Sequence, residues 1–434
     1  MVTAIVTFFI LGYLCIALES VLKINKAVPA LLMCVVCWTL YACGVGGEAE
    51  TSSRLLHHLG ETCEILFFLM GAMTIVEIVD ANGGFYFVHD ALATKSKKAL
   101  LWRITAMTFI LSAILDNLTT SIVMIMVLRK LIEDHKDRMI YGGILIIAAN
   151  AGGAFSPIGD VTTIMLWIKG MISTSGVISQ LLLPSIVSVV VSALCVSLYL
   201  KGNVVAPAGT AASLPANSPS DRKIILFFGV GGLIFVPIFR MLTGLPPFMG
   251  ILLALGVLWL VSEWRSSRSI VSSGSHLKVT DLLSRIDLAT ILFFLGILLA
   301  VATLQETGVL TAFGQWLNEV SHGNHYLVTG VIGIVSSIVD NVPLVAGCMD
   351  MYPIAATGDF ACDGLFWQLL AYCAGVGGSM LIIGSAAGVV VMGLEKISFG
   401  WYLKRFSLLA LVGYLAGAAV YILEAEFLKP MLGL

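Results

Sequence analysis

The chain has 434 residues, of which 59% are hydrophobic and 12% are charged, and its mean hydropathy is +1.00. Soluble proteins carry about 25% charged residues, so the composition excludes a soluble chain and indicates an integral membrane protein. The net charge of −2, without a basic tail, argues against nucleic-acid binding.

Apolar segments of about 17 residues or more predict membrane-spanning helices. The predicted crossings are 3–22, 28–44, 61–79, 140–170, 177–201, 223–243, 247–263, 287–304, 366–394 and 404–425. Residues 1–22 lack the positively charged N-terminal region and the small-residue cleavage site of a signal peptide, so we interpret them as a first spanning helix and not as a removable signal. The stretch 202–222 is rich in Pro, Ser, Ala and Gly, which predicts a flexible linker.

Two further apolar stretches, 99–134 and 326–356, each contain an Asp-Asn pair near the middle. Each arm has only about 14–17 residues, which is short for a hydrocarbon core of about 30 Å. We therefore predict two re-entrant hairpins with Asp-Asn at their tips. Such backbone is tolerated at that depth only when it is buried in protein or lines a wet cavity.

The distribution of positive charge supports this topology. With re-entrant hairpins, 20 of the 24 Lys and Arg residues lie on one side, the exceptions being Arg54, Lys169, Arg240 and Lys429. Counting each hairpin stretch as a single crossing gives a split of 13 to 11. The positive-inside rule favours the first arrangement, which makes the linker 202–222 cytoplasmic and places both termini outside. Two full crossings per hairpin would preserve this split, so arm length alone argues against them.

Short motifs recur at a nearly constant offset. Ile-Leu-Phe-Phe-Leu at 65–69 returns at 291–295, Asp-Asn at 116–117 returns at 340–341, and Gly-Gly at 152–153 returns at 377–378. Because each half holds an odd number of crossings, the second half is predicted to be inverted. The fold class predicted is an all-α polytopic membrane protein of two inverted-topology repeats, each with five transmembrane helices (one broken) and a re-entrant hairpin. Secondary transporters are built on this plan, with sites near the midplane.

The repeats are predicted to have the same internal organisation. The first, 1–201, contains scaffold helices 1–79, hairpin 99–134, broken helix 140–170 and helix 177–201. The second, 223–434, contains scaffold helices 223–304, hairpin 326–356, broken helix 366–394 and helix 404–425.

Polar residues concentrate at the hairpin tips and at the glycine-rich breaks. A carboxylate at membrane depth costs roughly 2.5–3.5 kcal/mol, which makes it a functional hypothesis by default. Small hard cations prefer oxygen ligands. Burial favours the protonated form of a carboxyl group and a bound cation favours the ionised form, so one carboxylate can hold either Na⁺ or H⁺. The candidate ion-binding residues are Asp116, Asn117, Asp160, Asp340 and Asn341, supported by Ser112, Thr120, Asn150, Ser156, Thr162, Ser336, Ser379 and Ser385.

Structural interpretations of the same residues remain open. Aspartate is a favoured helix N-cap, so Asp116 and Asp340 would also stabilise helix starts. The glycines would also permit close helix packing. His57 and His58 are predicted to lie in an outer loop, before a helix that Glu61 and Glu64 open. Histidine titrates near neutral pH, so these histidines are candidate pH sensors, but an ordinary solvated loop is the favoured interpretation.

The motifs at 116–120, 150–163, 336–345 and 377–388 resemble those of NhaD-type sodium/proton antiporters of the ion transporter superfamily. The resemblance covers nearly the whole chain. It implies efflux of Na⁺ (and Li⁺) against proton entry, with no cofactor beyond the transported ions and no enzymatic activity. It further implies a homodimer formed through the scaffold helices, an elevator-like moving domain, and a bacterial inner (plasma) membrane location. His57 and Glu64 resemble family positions of auxiliary importance.

Two alternatives remain open from the residues. The first is a sodium-coupled anion transporter of the same superfamily, for dicarboxylates or for arsenite-like substrates. The dicarboxylate branch carries Ser-Asn-Thr at its hairpin tips, whereas Asp replaces Ser here, and the extra negative charge would repel an anionic substrate. The second is an intramembrane aspartyl hydrolase, whose Gly-x-Gly-Asp signature is absent because Asp160 follows Pro157-Ile158-Gly159.

Overall fold

The computed structural model describes residues 1–18, 22–44, 48–204, 218–269, 278–338, 341–382 and 384–428, where the regular elements are helical. In chain order they are α1 (Val2–Ala17), α2 (Ala27–Gly44), α3 (Glu48–Ala81), α4 (Tyr86–Leu92), α5 (Lys97–Leu115), α6 (Asn117–Leu131), α7 (His135–Ala154), α8 (Val161–Ile168), α9 (Thr174–Tyr199), α10 (Pro219–Thr243), α11 (Pro247–Ser269), α12 (Val279–Leu283), α13 (Leu288–Glu306), α14 (Val309–Val320), α15 (His325–Val335), α16 (Asn341–Met351), α17 (Leu365–Gly377), α18 (Ala386–Glu395), α19 (Phe399–Arg405) and α20 (Ser407–Leu423), followed by a π-helical turn, Glu424–Leu428. Within the described ranges, eight helices are long and apolar enough to span a membrane. The chain is an all-α polytopic membrane protein, as its composition predicts.

Helix α3 is longer than predicted, and this changes the position of four polar residues. It begins at Glu48 and not near residue 61. The additional N-terminal turns are too polar to be recognised as an apolar segment. They are nevertheless helical, and Glu50 pairs with Arg54 one turn later at 2.5 Å, which stabilises the helix. The predicted outer loop before the helix is therefore wrong. His57, His58, Glu61 and Glu64 all lie inside α3.

The two hairpins differ in arm length. Helix α5 has 19 residues, which span about 28 Å at 1.5 Å per residue, so its length alone would allow a crossing. The helix exceeds the predicted arm by two residues, the lysines at positions 97 and 98. Helices α15 and α16 have 11 residues each and reach only about 16 Å, which is far too short to cross. Asp340 lies outside the described residues, so the second tip is described from Asn341 onward.

The helices pack as two groups. The scaffold group comprises α1–α3, α10, α11 and α13, in which α2 packs on α13 and α3 on α11. The hairpin group comprises α5–α9 and α15–α20, in which α5 packs on α7, α15 on α17, and α9 on α20. The groups meet where α3 contacts α8 and where α13 contacts α16.

A hydroxyl contact is repeated in the two halves of the hairpin group. Ser112 Oγ donates to the carbonyl oxygen of Ala149 at 2.5 Å. Ser336 Oγ donates to the carbonyl oxygen of Ala374 at 2.8 Å. Each bond ties a hairpin arm to the broken helix that follows it in sequence, so the motif repeat corresponds to a repeat of tertiary contacts.

Close backbone approach is repeated as well. A Cβ atom on Gly152 would lie 2.3 Å from the carbonyl oxygen of Phe109. A Cβ atom on Gly377 would lie 2.2 Å from the carbonyl oxygen of Gly333. Only glycine permits this separation between a hairpin arm and a broken helix. The repeated glycines therefore have a packing role in both halves.

Candidate functional site

Asp160 lies in the break between α7 and α8 and is 1% exposed. Its Oδ1 accepts hydrogen bonds from the backbone N–H of Thr162 at 2.8 Å and from Thr162 Oγ1 at 2.7 Å. Its Oδ2 accepts from Asn117 Nδ2 at 2.5 Å. Asn341 Nδ2 lies 3.4 and 3.5 Å from the two carboxylate oxygens. Since Asn117 and Asn341 begin the second arms of the two hairpins, Asp160 joins the halves of the protein.

Asp116 forms the tip of the first hairpin. Its backbone has φ 79° and ψ 159°, in a region that residues other than glycine avoid. The carboxylate caps α6 by accepting from the backbone N–H of Thr119 at 2.7 Å and from Thr119 Oγ1 at 2.9 Å. The capping interpretation is therefore confirmed for Asp116. It does not compete with an ion-binding interpretation, because carboxylate oxygens have further lone pairs.

Asn150 is the hydrogen-bonding centre of the site and is fully buried. Its Nδ2 donates to Ser379 Oγ and to Ser385 Oγ, both at 2.9 Å. Its Oδ1 accepts from Asn117 Nδ2 at 3.2 Å. Asn150 therefore connects the first hairpin tip and the first break to the second break.

Ser385 occupies in the second half the position that Asp160 occupies in the first. Both are N-caps, with backbone angles of φ −146°, ψ 145° for Asp160 and φ −145°, ψ 153° for Ser385. The two breaks thus share a backbone geometry and differ by one carboxylate. The centre of the protein is symmetric in shape and asymmetric in charge.

A cavity of about 190 Å³ reaches this centre from one side of the protein. Its inner wall contains Asp116, Asn117, Asp160 and Asn341, which belong to the hairpin group. The scaffold group contributes the opposite wall, including Lys26, Leu69, Met73, Asp287, Thr290 and Phe294. The cavity reaches the surface where Asn25 and Asp287 are exposed, which is the side that the charge distribution predicts to be cytoplasmic.

The other predicted ligands lie around this cavity but do not line it. Ser112 and Ser336 donate to carbonyl groups as described above, and Ser156 Oγ donates to the carbonyl of Ala113 at 2.5 Å. Thr120 Oγ1 is buried and has no hydrogen-bond partner among the described residues. The described ranges contain no group of three or more His, Cys, Asp or Glu side chains suited to a metal ion. A cation here would depend on amide and hydroxyl oxygens as well as carboxylates.

A second polar cluster lies at the opposite end of the contact between the two groups, and we call it the outer cluster. It comprises His58, Glu61, Lys169, Glu306 and Asp350. Lys169 Nζ lies 2.7 Å from Glu61 Oε2, which joins the end of α8 to the middle of α3. His58 Nε2 hydrogen-bonds Glu306 Oε1 at 2.8 Å.

The outer cluster does not include the two predicted auxiliary residues, His57 and Glu64, although both lie on the same helix as His58. The His57 side chain is 71% exposed, and its Nε2 lies 3.7 Å from Glu61 Oε1. Glu64 is partly buried along the same helix. The histidine that is buried against Glu61 and Glu306 is His58. The sequence does not distinguish it from His57, because adjacent residues of a helix point in different directions and the sequence does not say which direction is buried.

A buried acidic residue that the sequence analysis missed is Glu395, at the end of α18. It is 1% exposed and accepts from Arg129 Nε at 2.6 Å and from Arg138 Nε at 3.0 Å. These contacts tie α18 to the ends of α6 and α7. A single acidic residue at the end of an apolar segment gives no sequence signal of burial, so only the packing identifies Glu395.

The fold and this site define a class of protein: a membrane transporter with a polar cavity between two groups of helices. A family model described as citrate transporter, CitMHS, matches residues 13–369. The chain is 47% identical over 421 residues to sodium/proton antiporter 1 of Arabidopsis thaliana, covering 96% of this chain and 72% of that protein. It is 30% identical over 448 residues to the Na(+)/H(+) antiporter NhaD of Halomonas elongata, covering 96% and 87% of the two chains. The chain therefore belongs to the citrate transporter family and, within it, to the NhaD-type antiporters.

A solved structure supports the fold assignment. The crystal structure of the Alcanivorax borkumensis YdaH transporter matches with a TM-score of 0.58, covering 92% of this chain and 97% of that one. At 12% identity this likeness concerns the fold alone. Because the relatives are transporters, the alternative of an intramembrane aspartyl hydrolase is wrong.

Proposed function

We propose that this protein exchanges cytoplasmic Na⁺ (and Li⁺) for external H⁺. Support comes from relatives whose names state sodium/proton antiport, in a plant and in bacteria. Further support comes from the cavity chemistry, which offers carboxylate and amide oxygens suited to a small hard cation.

One observation carries the proposal: Asp116 and Asp160 line the same cavity with Asn117 and Asn341. These side chains come from both hairpin tips and from one helix break. Two carboxylates that line one cavity would share protons and cations as a coupled pair. Either ion satisfies the charge, so occupancy by Na⁺ lowers occupancy by H⁺, and exchange follows when the occupied site faces each side of the membrane in turn. We propose Asp340, at the tip preceding Asn341, as the third member of this set.

Cation binding would require the amides to turn. Asn117 and Asn341 present their NH₂ groups to Asp160 here. A half-turn about the terminal side-chain bond would present their oxygen atoms to a cation held at the carboxylate. Asn150 would remain in place, because its NH₂ group is held by two serine hydroxyls of the second break.

We further propose that the hairpin group moves against the scaffold group as an elevator. The cavity lies between the groups and reaches one surface, so a displacement of the hairpin group would carry the site toward the other. In this proposal the scaffold helices form a homodimer, the linker 202–222 is cytoplasmic and both termini are outside. We propose the bacterial inner membrane as the location of the protein. The matching relatives come both from bacteria and from a plant.

The test is Asp116→Asn and Asp160→Asn in proteoliposomes, with Na⁺-driven proton flux measured by fluorescence dequenching across pH with Na⁺, Li⁺ and K⁺. Asparagine caps helices about as well as aspartate, so each change removes the charge and keeps the cap. Asp134→Asn is the matched control, because Asp134 is an exposed N-cap of α7 outside the cavity.

We expect exchange to fall at least 100-fold in both cavity variants and to stay within twofold of the parent in Asp134→Asn. Full Na⁺-dependent proton flux in Asp116→Asn would refute its assigned role. Equal losses in all three variants would indicate a general effect of removing a carboxylate at a helix start, and would contradict a specific role for the cavity. A flux that persists without Na⁺ would indicate a passive channel.

A sodium-coupled anion transporter is the second candidate, since the matching family is described as citrate transporter. Two observations disfavour it. Among the described residues, the lining contains three aspartates, Asp116, Asp160 and Asp287, and one cation, Lys26. The cavity, at about 190 Å³, is also below the 300–1,000 Å³ typical of small-molecule sites. Uptake of radiolabelled citrate or succinate that rises with Na⁺ would favour this candidate over sodium/proton exchange. Na⁺-dependent uptake of arsenite would favour the arsenite-like form of the same candidate.

A further inference from the structure

A separate cavity of about 920 Å³ lies within the hairpin group, away from the proposed ion site. It is formed where the start of α7, the end of α9, α19 and the start of α20 meet. Charge asymmetry places these helix ends on the predicted cytoplasmic side. The proposed function does not use this cavity.

The cavity is strongly basic. Its lining contains five cationic side chains, which are Lys97, Lys136, Lys201, Lys404 and Arg405. Among the described lining residues the acidic one, Asp137, is paired with Lys97 at 2.6 Å. Within the described part of the chain, the other four cations form no ion pair. The cavity therefore has about four uncompensated positive charges.

The lining is also amphipathic. Trp401 and Tyr199 lie beside the cations, and the Tyr199 side chain is largely exposed. Tyrosine and tryptophan are enriched where membranes meet water. Leu408 continues the lining toward the apolar part of α20, and Leu194 and Leu415 are exposed farther along α9 and α20. Apolar faces thus run from the basic cavity into the depth of the membrane.

We propose that this cavity binds an anionic diacyl phospholipid of the cytoplasmic leaflet. Its phosphate would be held by Lys201, Lys404 and Arg405, and its acyl chains would lie along the exposed faces of α9 and α20. Basic pockets between transmembrane helices on this side are suited to anionic head groups. A soluble anion would use the charges but not the adjoining aromatic and apolar surface.

The binding contribution of each cation sets the expected effect. A juxtamembrane Lys or Arg is worth about fivefold in affinity for an anionic lipid surface. Three neutralised cations would then weaken binding by roughly 100-fold. A neutral lipid of the same chain length would bind about equally to parent and variant.

The experiment measures lipid binding by the full-length protein in mild detergent, using native mass spectrometry. The probes are dioleoylphosphatidylglycerol, dioleoylphosphatidylcholine and soluble glycerol 3-phosphate. The variant is Lys201→Gln/Lys404→Gln/Arg405→Gln. The control variant is Lys95→Gln/Lys98→Gln/Lys223→Gln, which removes three exposed lysines that lie outside the cavity lining.

We expect the parent and the control to retain phosphatidylglycerol in preference to phosphatidylcholine, and the cavity variant to lose most of that preference. Equal retention of the two lipids by the parent would overturn the proposal. An equal loss in the control would assign the preference to general surface charge. Competition by glycerol 3-phosphate at lipid-like concentrations would indicate a soluble-anion site instead. Should the triple variant fail to fold, Lys404→Gln alone is expected to lose about fivefold.

Discussion

The ion pair between Lys169 and Glu61 connects the two groups of helices on the predicted outer side. In the elevator proposal this pair forms while the ion cavity reaches the cytoplasmic side, and it breaks when the hairpin group moves. Glu61→Gln removes one charge and keeps the size of the side chain. We therefore expect this change to shift the conformational equilibrium away from the arrangement described here.

The magnitude follows from the geometry of the pair. The two charged atoms lie 2.7 Å apart, and the side chains are 28% and 37% exposed. Exposed ion pairs contribute about 0.2–1 kcal/mol, and this partly buried pair belongs near the upper limit. A loss of about 1 kcal/mol changes a two-state population ratio about fivefold.

The assay is a distance distribution by pulsed electron paramagnetic resonance in lipid nanodiscs. Spin labels at Leu56 of α3 and Ser175 of α9, both exposed, would report the separation of the two groups in a cysteine-free background. The matched control is Glu50→Gln, which breaks an ion pair contained within α3 and therefore present in both arrangements. The control should leave the population ratio unchanged.

Two results would contradict the reasoning. A population ratio in Glu61→Gln that stays within 1.5-fold of the parent would mean that the ion pair does not favour one arrangement. A single, unchanged distance in every variant and at every Na⁺ concentration would argue against any displacement of the groups. That second result would also remove the elevator part of the proposed function, while leaving ion competition at Asp116 and Asp160 open.

Three further predictions concern stability. Glu395→Ala should lower the free energy of unfolding by about 1.5–3 kcal/mol, because Arg129 and Arg138, whose side chains are 41% and 18% exposed, lose charge-assisted hydrogen bonds to a buried carboxylate. Thermal unfolding in detergent measures this, and an unchanged melting temperature would contradict it. Gly152→Ala should destabilise by at least about 2 kcal/mol, because its Cβ would meet a backbone oxygen, whereas Gly347→Ala, with open space around it, should be neutral or stabilising by up to about 1 kcal/mol. Asn150→Ala should cost about 2–4 kcal/mol through three lost buried hydrogen bonds; unchanged chemical denaturation would refute its central role.

Much of the fold follows from the sequence because the membrane leaves few options. A long apolar segment must satisfy its backbone internally, so a helix is the outcome, and composition reveals it. The breaks before Asp160 and Ser385 were predicted from glycine, proline and polar residues inside apolar segments, and the described caps occur there. The repeat offset places Ser112 and Ser336 at matching positions, and in the structure both hydroxyls donate to a backbone carbonyl of the following broken helix.

Only the tertiary structure decided which polar residues meet. Sequence identified Asp116, Asp160 and Asn341 as candidates, but their presence in one cavity depends on packing between elements more than 40 positions apart. The structure also selected His58 over His57 and paired Glu61 with Lys169, since the direction of a helical side chain depends on where its helix begins and rotates. Apolar patterns report burial along one segment. Partners across segments are set by packing, which no local pattern encodes.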